Sequence, residues 1–244
     1  MIATRREFLA IALSTGAAQL ERSAAASQQQ PQAAPAPQPL GSRIPLKLGE
    51  DRDGFVYIPD GYTEQHAPMP LLVMLHGAGS TALSVQYSLP LADAFGVIVL
   101  APDSRDERTW DGVLRSWGPD VDFIGTALQQ TVDRYRVNLA HIGVGGFSDG
   151  ASYALGFGIS YGDQFKHVIS MSPGVMQPIA ARGKPRIFLS HGTSDPIMPI
   201  DATSRQFVPK LKALGYDVTY REYEGRHTPS PPIVREAFEW FSKG

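Results

Sequence analysis

Apolar and polar positions along this chain fall into short runs of two kinds. Gly54–Pro59 (GFVYIP), Pro70–His76 (PLLVMLH) and Val97–Ala101 (VIVLA) are continuous or alternating apolar stretches bounded by turn residues. That pattern predicts strands, and each run is too short for a core helix. Asp120–Tyr135 repeats instead at helical spacing, with Val121, Ile124, Leu128, Val132 and Tyr135 on one face and Asp120 placed to cap its start. His141–Gly146 reads as a strand running into a helix from Ser148 on, and Phe165–Met171 and Arg186–His191 read as buried strands. Thr203–Leu214 fits a helix capped by Asp201 and ended by Gly215, in which Pro209 starts a turn or a kink. Tyr216–Tyr223 alternates as a strand, and Ile233–Ser242 closes the chain as an amphipathic helix.

Strands alternating with helices predict an α/β domain with a mostly parallel central sheet and helices on both faces. In such sheets the working groups collect in loops beyond the carboxyl ends of the strands. Four loops therefore carry the functional reading: those after Leu75, Gly146, Leu189 and Tyr223.

The first 42 residues do not share this pattern. Arg5-Arg6, a short apolar stretch over residues 9–18 and the small-residue run Ser23–Ser27 follow the layout of a bacterial twin-arginine export signal, assigned to residues 1–26. The apolar part is too short to span a bilayer, so no stable membrane insertion is expected after its removal. Residues 28–40 (QQQPQAAPAPQPL) hold four prolines, five glutamines and no charge, so residues 27–42 read as a solvated spacer. The domain proper is then 43–244, and the expected destination is the periplasm or the exterior. The absence of cysteine fits that destination without requiring it.

Composition changes the picture mainly by exclusion. Of 244 residues 43% are hydrophobic, enough for a single sizeable core, and the net charge of -2 with no basic stripe argues against a nucleic-acid partner. No two histidines have the close spacing of a zinc site, and no cofactor motif is present, so neither metal nor cofactor is expected.

The chemistry is carried by Gly146-Phe147-Ser148-Asp149-Gly150, a G-x-S-x-G string with a strand before it and a helix after it. The strand-to-helix turn is so tight that side chains two positions either side of the serine would collide with each other or with backbone. A serine hydroxyl needs a base, and the base needs an orienting carboxylate, in the chain order Ser, acid, His for this elbow. Asp195, in SHGTSDPIMP, and His227, in EGRHTPS, follow their strands on the predicted active edge and supply those roles. His66, His141 and His167 read as surface or packing residues, His76 as part of a glycine turn, and His191 as a structural hydrogen-bonding group. The turn Leu75-His76-Gly77-Ala78-Gly79-Ser80 offers backbone N–H groups for an oxyanion, with Ala78 as donor and Gly77 as its alternative, and the Asp149 N–H as the second. Gly77, Phe147, Trp117 and Met176 are the candidate substrate contacts, and Trp110 and Met198 lie near the same loops.

The segments HGAG, GFSDGASYALGFG, HGTSDPIMP and YEGRHTPSPPIVREAFEWF resemble the phospholipase/carboxylesterase branch of the α/β-hydrolase superfamily. The stretch Asp120–Pro173 also resembles esterases of the polyhydroxybutyrate-depolymerase-like group. The resemblance spans about residues 50 to 242 and implies an α/β-hydrolase fold and a cofactor-free serine esterase acting on small-molecule esters. It implies Ser148 as nucleophile, Asp195 as orienting acid, His227 as general base, and the Ala78 and Asp149 amides as oxyanion donors. Where many relatives carry Gly-Gly-His, this chain has Gly225-Arg226-His227. Only Ser172–Pro185 separates two strands where larger members insert a helical cap, so a minimal, uncapped site is expected. An acyltransferase with the same triad, or an exported binding domain of the same fold without chemistry, are the rival readings.

Overall fold

The computed structural model describes residues 41–65, 67–114 and 117–244. The export signal, all of the spacer but its last two residues, and His66 lie outside the described residues. In chain order the strands are β1 (Arg43–Pro45), β2 (Gly54–Tyr57), β3 (Met69–Leu75), β4 (Ile98–Pro102), β5 (Val137–Phe147), β6 (His167–Met171), β7 (Arg186–Gly192) and β8 (Val218–Tyr223). They form one sheet in the order β1-β2-β4-β3-β5-β6-β7-β8. Strands β3 to β8 pair in parallel, while β1 and β2 add an antiparallel edge next to β4.

Six helices are described: α1 (Leu89–Phe95), α2 (Asp111–Leu114), α3 (Pro119–Arg134), α4 (Asp149–Ser160), α5 (Ser204–Ala213) and α6 (Pro231–Ser242). The side-chain alternation of β5 shows how they layer. A Cβ on Gly143 would meet Phe241 of α6, whereas Val144 would crowd a Cβ on Gly158 of α4, so these two helices pack on opposite faces. Ala92 of α1 joins Val234, Phe238 and Phe241 of α6 in one apolar cluster with Leu72, Met74, Val99 and Phe188. Phe238 and Phe241 are 1% and 0% exposed, and burying each such side chain stabilises the fold by roughly 1.5–3 kcal/mol.

Two expected helix caps are not where the sequence put them. Asp120 lies inside α3, whose N-cap is Gly118 with Pro119 at the first turn. The Asp120 carboxylate instead accepts the backbone N–H groups of Arg105 and Asp111, and Asp111 accepts those of Gly118 and Asp120, so the two acids cap each other's segments. Burial raises the pKa of both. Asp201 falls in a short 3-10 turn (Ile200–Ala202), α5 is capped at Thr203, and the Asp201 carboxylate pairs with Arg205 at 2.8 Å. Pro209 stays inside α5.

Between β6 and β7, residues 172–185 form no helix. The segment is moored on α4: Ser152 Oγ accepts the N–H groups of Gly174 and Val175, and Ser160 Oγ accepts that of Ile179. The uncapped, minimal form of the fold is thus present. Among the described residues no helix is long and apolar enough to cross a membrane.

Candidate active site

β5 ends at Phe147 and α4 begins at Asp149, leaving Ser148 alone to turn the chain. Its backbone sits at φ 58°, ψ -123°, a region costly for a side-chain-bearing residue and found where surrounding packing over-determines the conformation. The packing is visible in the flanking glycines. A Cβ on Gly146 would lie 2.5 Å from the Gly150 carbonyl carbon, and one on Gly150 would lie 2.2 Å from the Leu75 oxygen and 2.5 Å from the His76 oxygen. The elbow is therefore pressed against the end of β3.

Three loops meet at Ser148. His227 Nε2 is 2.8 Å from Ser148 Oγ, and His227 Nδ1 is 2.6 Å from Asp195 Oδ2. Oδ1 of Asp195 accepts the N–H groups of Ile197 and Met198, each at 2.9 Å. Burial alone would raise the pKa of this carboxyl, but the hydrogen bonds from Met198, His227 and Ile197 outweigh it and hold the carboxyl below its ordinary range. The acid stays ionised and fixes Nδ1 of the imidazole as the protonated nitrogen, leaving Nε2 to accept from the serine.

The loops bearing the acid and the base are knitted together. Thr193 N–H donates to Tyr223 O, Ser194 N–H to Gly225 O, and Tyr223 Oη to Thr228 O at 2.7 Å. Gly192 has no room for a side chain, because a Cβ there would lie 2.6 Å from the Gly225 oxygen. His191 holds the acid loop from below, with Nε2 2.7 Å from Met198 O and Nδ1 2.6 Å from Ser204 Oγ. Its pKa is lowered, chiefly by burial. That is the structural role its sequence position suggested.

A cavity of about 450 Å³ opens beside Ser148 and His227. Gly77, Ala78 and Phe147 line it, with Val85 and Tyr87 from a 3-10 turn (Ala82–Ser88) and Ile197 and Pro229 from the acid and base loops. Its walls are mostly apolar. Phe147 also packs against His227, ring centroids 4.7 Å apart and planes tilted by 42°. Among the described residues, no acceptor takes the N–H of Ala78 or of Asp149, while Gly79 N–H is engaged by Arg108 O.

Two expected contacts lie elsewhere. Trp117 is outside this lining: its ring packs on Tyr153 and Phe157 of α4, and its Nε1 donates to Gln177 O. Met176, in the segment moored on α4, is also outside it. Trp110 is fully buried and donates to His76 O, and the Met198 sulfur fills the space above Gly174. The sequence reading missed Val85, Tyr87, Ile197 and Pro229 as lining residues: the first two belong to no motif, the last two are apolar members of the acid and histidine segments, and only proximity to Ser148 and His227 in the fold brings them in.

Comparison with known proteins agrees with this architecture. Residues 46–229 match the Esterase family profile. A "Probable feruloyl esterase C" from Aspergillus flavus is 27% identical over 160 residues, 62% of this chain and 57% of that protein's length. Acyl-protein thioesterase 1 of Gibberella zeae is 23% identical over 207 residues, 80% of this chain and 85% of the relative. Among solved structures, esterase PE8 superposes with a TM-score of 0.64 at 22% identity, covering 79% of this chain and 98% of that one. The Staphylococcus aureus serine hydrolase FphF gives 0.65 at 14% identity, covering 84% and 99%; both share the fold. An eight-stranded, mostly parallel sheet, a serine elbow at its centre and a family match over most of the described chain lead to one assignment: the protein belongs to the Esterase family and has a minimal α/β-hydrolase fold.

Proposed function

We propose that the protein hydrolyses carboxylic esters through an acyl-enzyme, with Ser148 as nucleophile, His227 as general base and then acid, and Asp195 as the orienting carboxylate. The observation that carries this reading is the unbroken hydrogen-bonded path from Asp195 Oδ2 through His227 to Ser148 Oγ, with contacts of 2.6 and 2.8 Å. His227 Nε2 takes the serine proton as Oγ attacks the carbonyl carbon, then delivers it to the leaving alcohol. Water repeats the sequence on the acyl-enzyme and releases the acid. The charge on the tetrahedral oxygen is met by the N–H groups of Ala78 and Asp149, the latter opening α4, where the helix dipole adds to the attraction.

The walls of the cavity favour an uncharged, apolar acyl or alcohol group. Phe147, Tyr87 and Pro229 give it flat faces that suit an aromatic group, the kind for which the A. flavus relative is named. Release of p-nitrophenol from the acetate and butyrate esters, and of ferulate from methyl ferulate, tests the reading with Ser148→Ala as control. Equal release by the two proteins defeats it. Acceptor alcohols added to the same assay separate hydrolysis from acyl transfer. The twin-arginine pattern at residues 1–26 further supports delivery to the periplasm or exterior, tested by fractionating cells that express the full chain and its Arg5→Lys, Arg6→Lys variant.

A further inference from the structure

Arg52 lies in the turn between β1 and β2, on the antiparallel edge and outside the triad, yet its guanidinium reaches the loop that carries Ala78. Its Nε donates to the Ser104 carbonyl just past β4. Its Nη2 donates to the Ser80 carbonyl at 2.8 Å and to Ser104 Oγ at 3.1 Å, and lies 3.4 Å from His76 Nε2. His76 is 1% exposed; its Nδ1 is 2.8 Å from Gly77 O, and its Nε2 accepts the Ser104 N–H at 3.0 Å. Both ends of the glycine turn are thus tied to Ser104, His76 directly and Ser80 through the arginine.

The turn that presents Arg52 is itself held fast. The Asp53 carboxylate accepts the N–H groups of Lys47, Leu48 and Gly49, and Asp53 N–H donates to Asp103, whose other oxygen accepts Ala82 N–H just beyond the glycine turn. A planar guanidinium can address two carbonyls in fixed directions at once, which a lysine ammonium on a flexible stem does not.

We propose that Arg52 is a positioning residue for the oxyanion site, clamping Ser80 to Ser104 so that the Gly77–Gly79 turn holds the Ala78 N–H toward the reacting carbonyl. The inference rests on the ester-hydrolysis reading above and assigns a new residue to it. Losing an oxyanion donor outright lowers the rate about 100-fold to 1000-fold, and loosening one costs part of that.

The test is steady-state kinetics on p-nitrophenyl butyrate for Arg52→Gln, Arg52→Lys and Arg52→Gly, with rates per active site titrated by a fluorophosphonate. Amide exchange over residues 76–80 is followed by mass spectrometry on the same proteins. Arg52→Gln is expected to lower kcat about 10-fold to 100-fold with KM within about twofold, and to speed exchange in the 76–80 segment. Arg52→Lys should fall between, and millimolar methylguanidinium should restore part of kcat to Arg52→Gly. Wild-type kcat per titrated site in Arg52→Gln, or a loss confined to thermal stability with exchange unchanged, overturns the proposal. A wild-type protein no faster than Ser148→Ala defeats the esterase reading instead. The exchange measurement then still decides whether Arg52 holds the turn.

Discussion

Gly150 and Gly77 lie on the two sides of the junction between β3 and the serine elbow, and adding one methyl group to each should have opposite results. At Gly150 the new Cβ would sit 2.2 Å from the Leu75 oxygen and 2.5 Å from the His76 oxygen, both backbone atoms that cannot rotate aside. An ordinary carbon–oxygen contact needs about 3.3 Å, so the first turn of α4 and the end of β3 must part by roughly 1 Å. Ser148 rides on one of these segments and the Ala78 turn on the other, so the parting is felt directly between the Ser148 hydroxyl and the Ala78 N–H to which the proposed mechanism assigns attack and oxyanion binding. A misplacement of ~1 Å costs about 100-fold in rate, or about 2.7 kcal/mol of barrier. At Gly77 the new Cβ would meet Ser148 Cβ at 3.5 Å and Phe147 O at 3.7 Å, ordinary contacts, and Gly77 is not among the residues with positive φ. Gly150→Ala is therefore expected to lose about 100-fold in kcat, and Gly77→Ala to stay within about fivefold. Both are read on p-nitrophenyl butyrate per titrated site, with thermal melts alongside to separate misfolding from misplacement. Equal damage in the two variants, or wild-type kcat in Gly150→Ala, refutes the steric argument.

Three further outcomes follow from the same geometry. Asp195→Asn removes the ionised acceptor of His227 Nδ1 and should lower kcat about 10,000-fold with little change in KM, measured by single-turnover kinetics. His167 is 5% exposed, packed on His141, Trp240 and Phe241, and has neither ring nitrogen paired among the described residues; burial first, then the charges of His141 and Arg186, lower its pKa from 6.5 to about 4. With the folded value below the unfolded one, stability from this group is intact above pH 6.5 and declines as the pH falls toward the folded value, by about 2 kcal/mol at roughly pH 5; urea titrations should show that decline in the wild type and lose it in His167→Phe. Trp117→Ala should destabilise by about 2–3 kcal/mol through lost packing on Tyr153 and Phe157 while leaving KM for small esters within about twofold, since the ring lies outside the cavity.

What could be read from the sequence follows a physical divide. The parallel strands were legible because they are short apolar runs with turn residues at both ends; β3 was predicted at 70–76 and is found at Met69–Leu75. Ser148, Asp195 and His227 were legible because chain order and the strand-end rule restrict where an elbow's partners fall. β1 is three residues long and the Ala82–Ser88 turn lacks a periodic signature, so neither was seen. Asp120 and Asp201 look like caps on the local pattern, yet the backbone of Arg105 and Asp111 claims the first carboxylate and the Arg205 side chain, one turn on, claims the second. Trp117 was drawn to the site by its place near an active-edge loop, but the open lane left by Gly112 and Gly156 draws its ring against α4 instead. Arg52 carries no motif at all; its reach to Ser80 and Ser104 exists only in three dimensions.

The backbone stitches between the Asp195 and His227 loops have a mechanical consequence. Because Thr193 and Ser194 are bonded to Tyr223 and Gly225, imidazole and carboxylate belong to one rigid piece, whereas the hydroxyl belongs to another, the β5–α4 corner. Warming or mild denaturant that loosens the rim parts those two pieces at the Nε2–Oγ contact first. Turnover is then expected to vanish while the His227 Nδ1 proton donated to Asp195 is still seen by low-field proton NMR.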